Sequence, residues 1–315
     1  MDQNAEDQNA DRREFDFFLK QFLSMQWLRP EVAPWDTHAA LLVYRHLRTN
    51  CSKLEVGIGN GYTSFTTLGG EFSPDYDWYY NIDPSGFWDN RDIYDAASFL
   101  DLDRFIVKRP DHPYTLALDH KQTLIDQAAV IGVAARTLVA DANALPELGQ
   151  FGLIYSNMLY WLADPVAALT RLARALAPGG QLIVMMPTPK FPDYARSYKR
   201  ENRLWTLINR GRADCIQAFL APETVIRAVE TGSQARLAQV SLYLSAATLK
   251  FWDIGLRPVS PYLIHMANSM PAPERAALKQ RWCADLLPLL TEVAQDELKD
   301  GARDGAFAMY RFQRG

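Results

Sequence analysis

Three glycines at alternating positions, Gly57, Gly59 and Gly61, follow directly on the strand-like run Lys53-Leu54-Glu55-Val56. A turn of this kind joins a strand to a helix, and its missing side chains let backbone come close to a ligand. The helix is expected from Tyr62, with Thr63 and Ser64 near its start. Glu55 sits inside the apolar strand, where a carboxylate needs a partner or a ligand because burying it alone is expensive. A second run, Trp78-Tyr79-Tyr80-Asn81-Ile82-Asp83, is aromatic and β-branched and closes on an acid followed by Pro84. A glycine turn after one strand and an acid ending the next suit a nucleoside-bearing cofactor, the acid taking the ribose diol. A pyrophosphate would want a glycine where Tyr62 stands, so that the helix dipole could approach it. A cofactor without phosphate needs only the close backbone.

Strand and helix signals alternate onward. Residues 85–135 read mainly as helices, including Thr115–Val133. Thr137–Asp141 is expected as a third strand and Phe151–Ser156 as a fourth. Asp164-Pro165 opens an amphipathic helix stopped at Pro178-Gly179-Gly180, and Gln181–Met186 forms a fifth strand. The alternation implies a mostly parallel sheet with helices on both faces. Residues 190–240 read as helical, and the sheet resumes near Leu256–Ile264 and ends with Ala306–Phe312. The division expected is a disordered tail over 1–12, an amino-terminal helical cap over 13–50, a cofactor-binding core over 51–189, a helical lid over 190–240, and the rest of the core sheet over 241–315.

Composition narrows the function. Lys and Arg number 33 against 37 Asp and Glu, a formal charge of −4, which argues against a general nucleic-acid binder. Asp164 and Arg171 interrupt the longest apolar stretch, so no membrane span is expected. The acidic amino terminus is unlike a secretory signal, and the expected location is cytoplasmic. Three scattered cysteines and five histidines without an HExxH pattern predict no metal site.

Leu54-Glu55-Val56-Gly57-Ile58-Gly59-Asn60-Gly61 resembles the first motif of the class I S-adenosylmethionine-dependent methyltransferases. Further elements follow in that family's order across roughly residues 50–190. They are Asn81-Ile82-Asp83-Pro84, Ala140-Asp141-Ala142 with Leu145-Pro146, Phe151–Tyr160, and Leu176-Ala177-Pro178-Gly179-Gly180-Gln181-Leu182. The resemblance implies an α/β Rossmann-like, seven-stranded, mostly parallel sheet with an antiparallel last strand, which suits Ala306–Phe312. It implies S-adenosylmethionine as cofactor and S-adenosylhomocysteine as product. By position, Gly57, Gly59, Asn60 and Gly61 would line the methionine and ribose. Glu55 would orient the loop or the methionine ammonium, Asp83 would accept the ribose hydroxyls, and Asp141 with the Ala142 backbone would meet the adenine. Ser156 and Asn157 would sit beside the sulfonium.

Methyl transfer is an in-line displacement, so the protein contributes alignment, desolvation and, where needed, a base. Tyr160 on the rim after the fourth strand, and His265 at the end of Ser260-Pro261-Tyr262-Leu263-Ile264, are the catalytic candidates. On a helix from Tyr194 to Asn209, Arg196, Lys199, Arg200 and Arg203 would share one side and Tyr194 and Tyr198 another. With Trp161 they would form a lid with a basic edge over a small-molecule acceptor, aromatic or anionic. The expected reaction is methylation of an oxygen or nitrogen atom, and a homodimer is compatible with it. A non-catalytic binding protein on this fold, or another use of the sulfonium, are the alternatives.

Overall fold

The computed structural model describes residues 3–80, 82, 102–209, 212–216, 218–301 and 303–315. Seven strands form one sheet: β1 (Lys53–Val56), β2 (Leu116–Asp119), β3 (Thr137–Val139), β4 (Phe151–Ser156), β5 (Leu176–Pro187), β6 (Ala235–Tyr243) and β7 (Phe307–Arg314). Their spatial order is β3-β2-β1-β4-β5-β7-β6. The first five run parallel, with Leu54 opposite both Leu116 and Ile154. β7 inserts antiparallel between β5 and β6. The expected α/β Rossmann-like sheet with its antiparallel last strand is therefore present.

All four residues of β1 are buried, and so are all four of β2, because helices cover both faces of a parallel sheet. The covering helices include α1 (Gln3–Met25), α2 (Val32–Leu47), α3 (Tyr62–Thr67), α4 (Gln122–Ile131) and α5 (Pro165–Arg174). Asp164 caps α5 by accepting from the Ala167 amide at 2.9 Å, with Pro165 in the first turn, as its sequence predicts.

Several expectations are corrected. Residues 78–80 form a turn and not a strand, residues 77 and 82 belong to no strand, and Asp83 lies outside the described residues. The second strand is β2, inside a segment expected to be helical from Thr115 to Val133; the helix there is α4 alone. The aromatic run instead holds helices together. Trp27 Nε1–H donates to Asp77 at 3.0 Å, and the Tyr79 hydroxyl donates to Gln26 at 2.7 Å. Residues 3–12 belong to α1, where Arg45 of α2 pairs with Glu14 at 3.1 Å and also with Asp11.

The carboxyl-terminal third also differs. The sixth strand is Ala235–Tyr243, whereas 256–264 forms a short 3-10 turn and the start of a helix. Residues 246–300 are mostly helical: α6 (Ala246–Ile254), α7 (Ser260–Asn268) and the 29-residue α8 (Ala272–Asp300). On α8 the buried Arg275 pairs with Asp77 at 2.8 Å, and the buried Lys279 donates to the carbonyl oxygens of Pro74 and Tyr76. The single helix expected from Tyr194 to Asn209 is three short pieces, broken at Arg200, whose φ is +49°. Among the described residues no helix is long and apolar enough to cross a membrane.

Candidate cofactor site

The glycine loop leaves β1 and returns at once over β2. The amides of Gly57 and Ile58 donate to the Leu118 carbonyl at 2.8 and 3.1 Å. Gly57, Gly59 and Gly61 all have positive φ (81°, 58° and 79°), the region in which glycine carries no Cβ penalty. The three differ in surroundings. A Cβ on Gly57 would fall 1.9 Å from Met158 Cγ, and one on Gly61 would press on Val133 and Ala128, where α3 approaches α4. A Cβ on Gly59 would meet nothing within 4 Å, so that position faces open space. Asn60 accepts from the Tyr62 amide at 3.3 Å and so supports the start of α3. Tyr62 packs edge-on against Phe72 and Tyr76, filling the place where a dinucleotide loop would want glycine.

The acid at the end of the strand next to β1 is Asp119. Its Oδ2 accepts from the Gly59 amide at 3.0 Å and its Oδ1 from the Lys121 amide at 3.2 Å, with His120 Nδ1 at 3.1 Å. It is 7% exposed, and that exposed remnant lines a cavity of about 530 Å³. Gly57, Asp141, Ala142, Asn143, Met158, Trp161 and Asp214 line the same cavity. Asp141 follows β3 and caps a 3-10 turn, accepting from the Asn143 amide at 2.8 Å and its side-chain amide at 2.9 Å. The Asn143 amide holds the Asp141 carboxyl below its usual value. Asn143 also accepts from the Ala163 amide at 3.1 Å, tying the turn after β3 to the one after β4.

Glu55 lies behind the loop. It is buried, and its Oε1 accepts from the Ser64 hydroxyl of α3 at 2.6 Å. Burial pushes its carboxyl up to about 8 against the opposing effect of that hydroxyl, so it is protonated at neutral pH. Ser156 is also buried and donates to the Val56 carbonyl at 2.8 Å, a cross-strand tie. The side-chain oxygen of Asn157 is buried with no hydrogen-bond partner among the described residues.

The remaining expected residues are dispersed. Trp161 is 59% exposed on the cavity wall. Tyr160, next to it, turns the other way into the core against Phe307 at 5.5 Å, and burial pushes its hydroxyl well above the usual range. His265 is exposed on α7 and not at a strand end. Tyr194 donates to Asp304 at 2.7 Å, and Tyr198 donates to the Ile216 carbonyl. Arg196 stacks on Trp205 at 4.8 Å and lies 3.9 Å from Glu201, and Arg200 pairs with Asp214 at 2.7 Å. Arg196 and Arg200 each have a neighbouring carboxylate, and the chain breaks its helical course at Arg200, ahead of Arg203. Asp119, His120, Asn143, Met158, Leu162 and Asp214 are cavity residues that sequence reasoning passed over. An acid closing the short apolar run Leu116–Asp119 is the one signal that could have found Asp119.

These residues fit a nucleoside cofactor. A near-buried carboxylate opens on the cavity, a glycine backbone faces free space, and a buried amide oxygen lacks a donor among the described residues. The volume lies in the range of small-molecule sites, ~300–1,000 Å³.

Residues 110–184 match the family model described as a methyltransferase domain. A search of the curated proteins finds no match to the chain. Among solved structures, a methyltransferase from Thermotoga maritima described as a possible histamine N-methyltransferase is similar at 14% identity. It covers 97% of this chain and 96% of its own, with a TM-score of 0.43. A TehB-like methyltransferase from Corynebacterium glutamicum is similar at 14% identity, over 88% and 86% of the two chains, with a TM-score of 0.41. One from Mesorhizobium loti is similar at 13%, over 88% and 98%, with a TM-score of 0.42. The match to a methyltransferase domain thus covers residues 110–184 of this chain, the stretch from just before β2 into β5.

Proposed function

We propose that the protein transfers a methyl group from S-adenosylmethionine to an oxygen or nitrogen atom of a small molecule. The observation that carries this reading is the Gly59 amide held by Asp119 at 3.0 Å on the rim of the cavity. That contact ties the glycine loop to the acid of the neighbouring strand, as a ribose-binding corner requires. Asp119 takes the ribose hydroxyls in the role that the sequence suggests for Asp83. Asp141 and the Ala142 backbone meet the adenine, with Trp161 and Leu162 on the facing wall. Asn157 offers its unpartnered oxygen to the amino-acid end, and Glu55 holds the loop through Ser64.

The bound cofactor supplies a methyl group already activated on sulfur. The protein's part is to align the acceptor, exclude water and take up a proton where the acceptor must lose one. Isothermal titration with S-adenosylmethionine, S-adenosylhomocysteine and NAD tests the reading. The two sulfur nucleosides should bind, and at 100 times the dissociation constant each should stabilise the fold by about 2.7 kcal/mol. Binding of NAD alone, or of none of the three, would refute it.

A further inference from the structure

A second cavity, of about 240 Å³, lies where the first two turns of α8 meet the turns at 74–75 and 78–80. It shares no lining residue with the cofactor cavity. Ring contacts lead to it from the end of the glycine loop: Tyr62 meets Tyr76 at 5.7 Å, and Tyr76 meets Phe105, part of the cavity wall, at 5.6 Å.

Two buried cations stand in that wall, Arg275 and Lys279, four residues apart and so on one face of α8. Each leaves a donor unused. Arg275 gives its Nε–H to Asp77 at 2.8 Å and an Nη1–H to Asn268, while its Nη2 is buried with no acceptor among the described residues. Asp77 also takes the Trp27 indole and the Tyr79 amide, each at 3.0 Å. Lys279 gives two of its three N–H donors to neutral acceptors, the carbonyls of Pro74 at 2.8 Å and of Tyr76. The third has no acceptor among the described residues. Burial pulls this ammonium below its usual range, against the charge of Asp77.

A buried cation with a donor left over costs free energy that a bound anion recovers. Asp75 and Arg104 complete the charges of the wall, so that three cations stand against two carboxylates and one positive charge is left. The rest of the wall includes the rings of Phe105 and Tyr80, the latter 5.6 Å from the Arg275 guanidinium. The volume is just below the ~300–1,000 Å³ of drug-sized sites, which limits the occupant to one small molecule.

We propose that this cavity is a second binding site, for a small aromatic monocarboxylate, whose carboxylate takes the spare donors of Arg275 and Lys279 and whose ring lies against Phe105 and Tyr80. One negative charge matches the surplus of the wall. A neutral aromatic would leave the donors unpaired, and a phosphate would leave the rings bare. The site stands independently of the methyltransferase reading.

The test is calorimetric titration of the full chain with benzoate, its neutral analogue benzamide, and inorganic phosphate. Benzoate should bind once per chain, and the other two at least tenfold more weakly. Two variants locate the site. Lys279→Gln removes the charge yet keeps donors for both carbonyls, and Ala276→Phe fills the cavity from an exposed position in its wall. Each should weaken benzoate at least tenfold, with a thermal melt to show that it is folded, and Ala276→Phe carries the test if the buried lysine proves essential to folding. Saturating S-adenosylhomocysteine should leave benzoate affinity within twofold, since the two cavities share no residue. The proposal is overturned by absence of benzoate binding, by benzamide or phosphate binding as tightly as benzoate, by wild-type affinity in folded Ala276→Phe, or by displacement of benzoate with S-adenosylhomocysteine.

Discussion

Replacing Asp119 tests the cofactor corner most directly. Its two oxygens each accept one backbone amide, Gly59 at 3.0 Å and Lys121 at 3.2 Å, which leaves further lone pairs toward the cavity. Ribose hydroxyls donating to this carboxylate make charge-assisted bonds worth about 1.5–3 kcal/mol. Asp119→Ala should therefore weaken S-adenosylhomocysteine about 10–150-fold. Asp119→Asn keeps an oxygen for the Gly59 amide but loses the charge, so its affinity should fall between those of the wild type and Asp119→Ala. The amides freed by alanine belong to the half-buried Gly59 and Lys121 and can turn to water, which limits the stability loss to about 1 kcal/mol. Titration calorimetry on both variants and on Asp83→Ala reads the three predictions together, with a thermal melt to show that each is folded. Asp83→Ala should bind within twofold of wild type, because Asp119 ends the strand beside β1. Unchanged affinity in a folded Asp119→Ala protein would falsify the ribose assignment, and a loss confined to Asp83→Ala would move it to that residue.

Glu55 is held protonated, so its contribution is complete below its unfolded value of 4.5 and is lost as pH rises through about 8. The stability advantage of Glu55→Gln over wild type should widen by up to about 4 kcal/mol between pH 5 and 9, and denaturant melts that run parallel would contradict it. His38 has the opposite sign: burial lowers it from 6.5 to about 4 against the opposing charge of Glu297. Its contribution, present above 6.5, disappears as pH falls through 4, so His38→Phe should flatten the acid limb of the melting profile by about 3 kcal/mol. Gly57→Ala and Gly59→Ala share the left-handed penalty of about 1–2 kcal/mol, but only the former must also displace Met158. Thermal melts should rank Gly57→Ala the less stable, and equal midpoints would show that Met158 moves aside freely.

What was legible in the chain was what is local. The β1 strand, its glycine turn, the Asp164-Pro165 helix start and the alternating carboxyl-terminal strand each carry their signal within about ten residues, and each is where the sequence places it. The second strand failed for a physical reason. Leu116–Asp119 is four buried residues in a longer apolar segment, and periodicity cannot separate a buried strand from a buried helix at that length. Its selection comes from pairing, Leu54 with Leu116 and two loop amides on the Leu118 carbonyl, partners about sixty residues away. Trp78–Asp83 has the stronger β composition, but Tyr79 bonds Gln26 just past α1 and Tyr80 lies against Arg275 of α8, so helix docking outweighs propensity there.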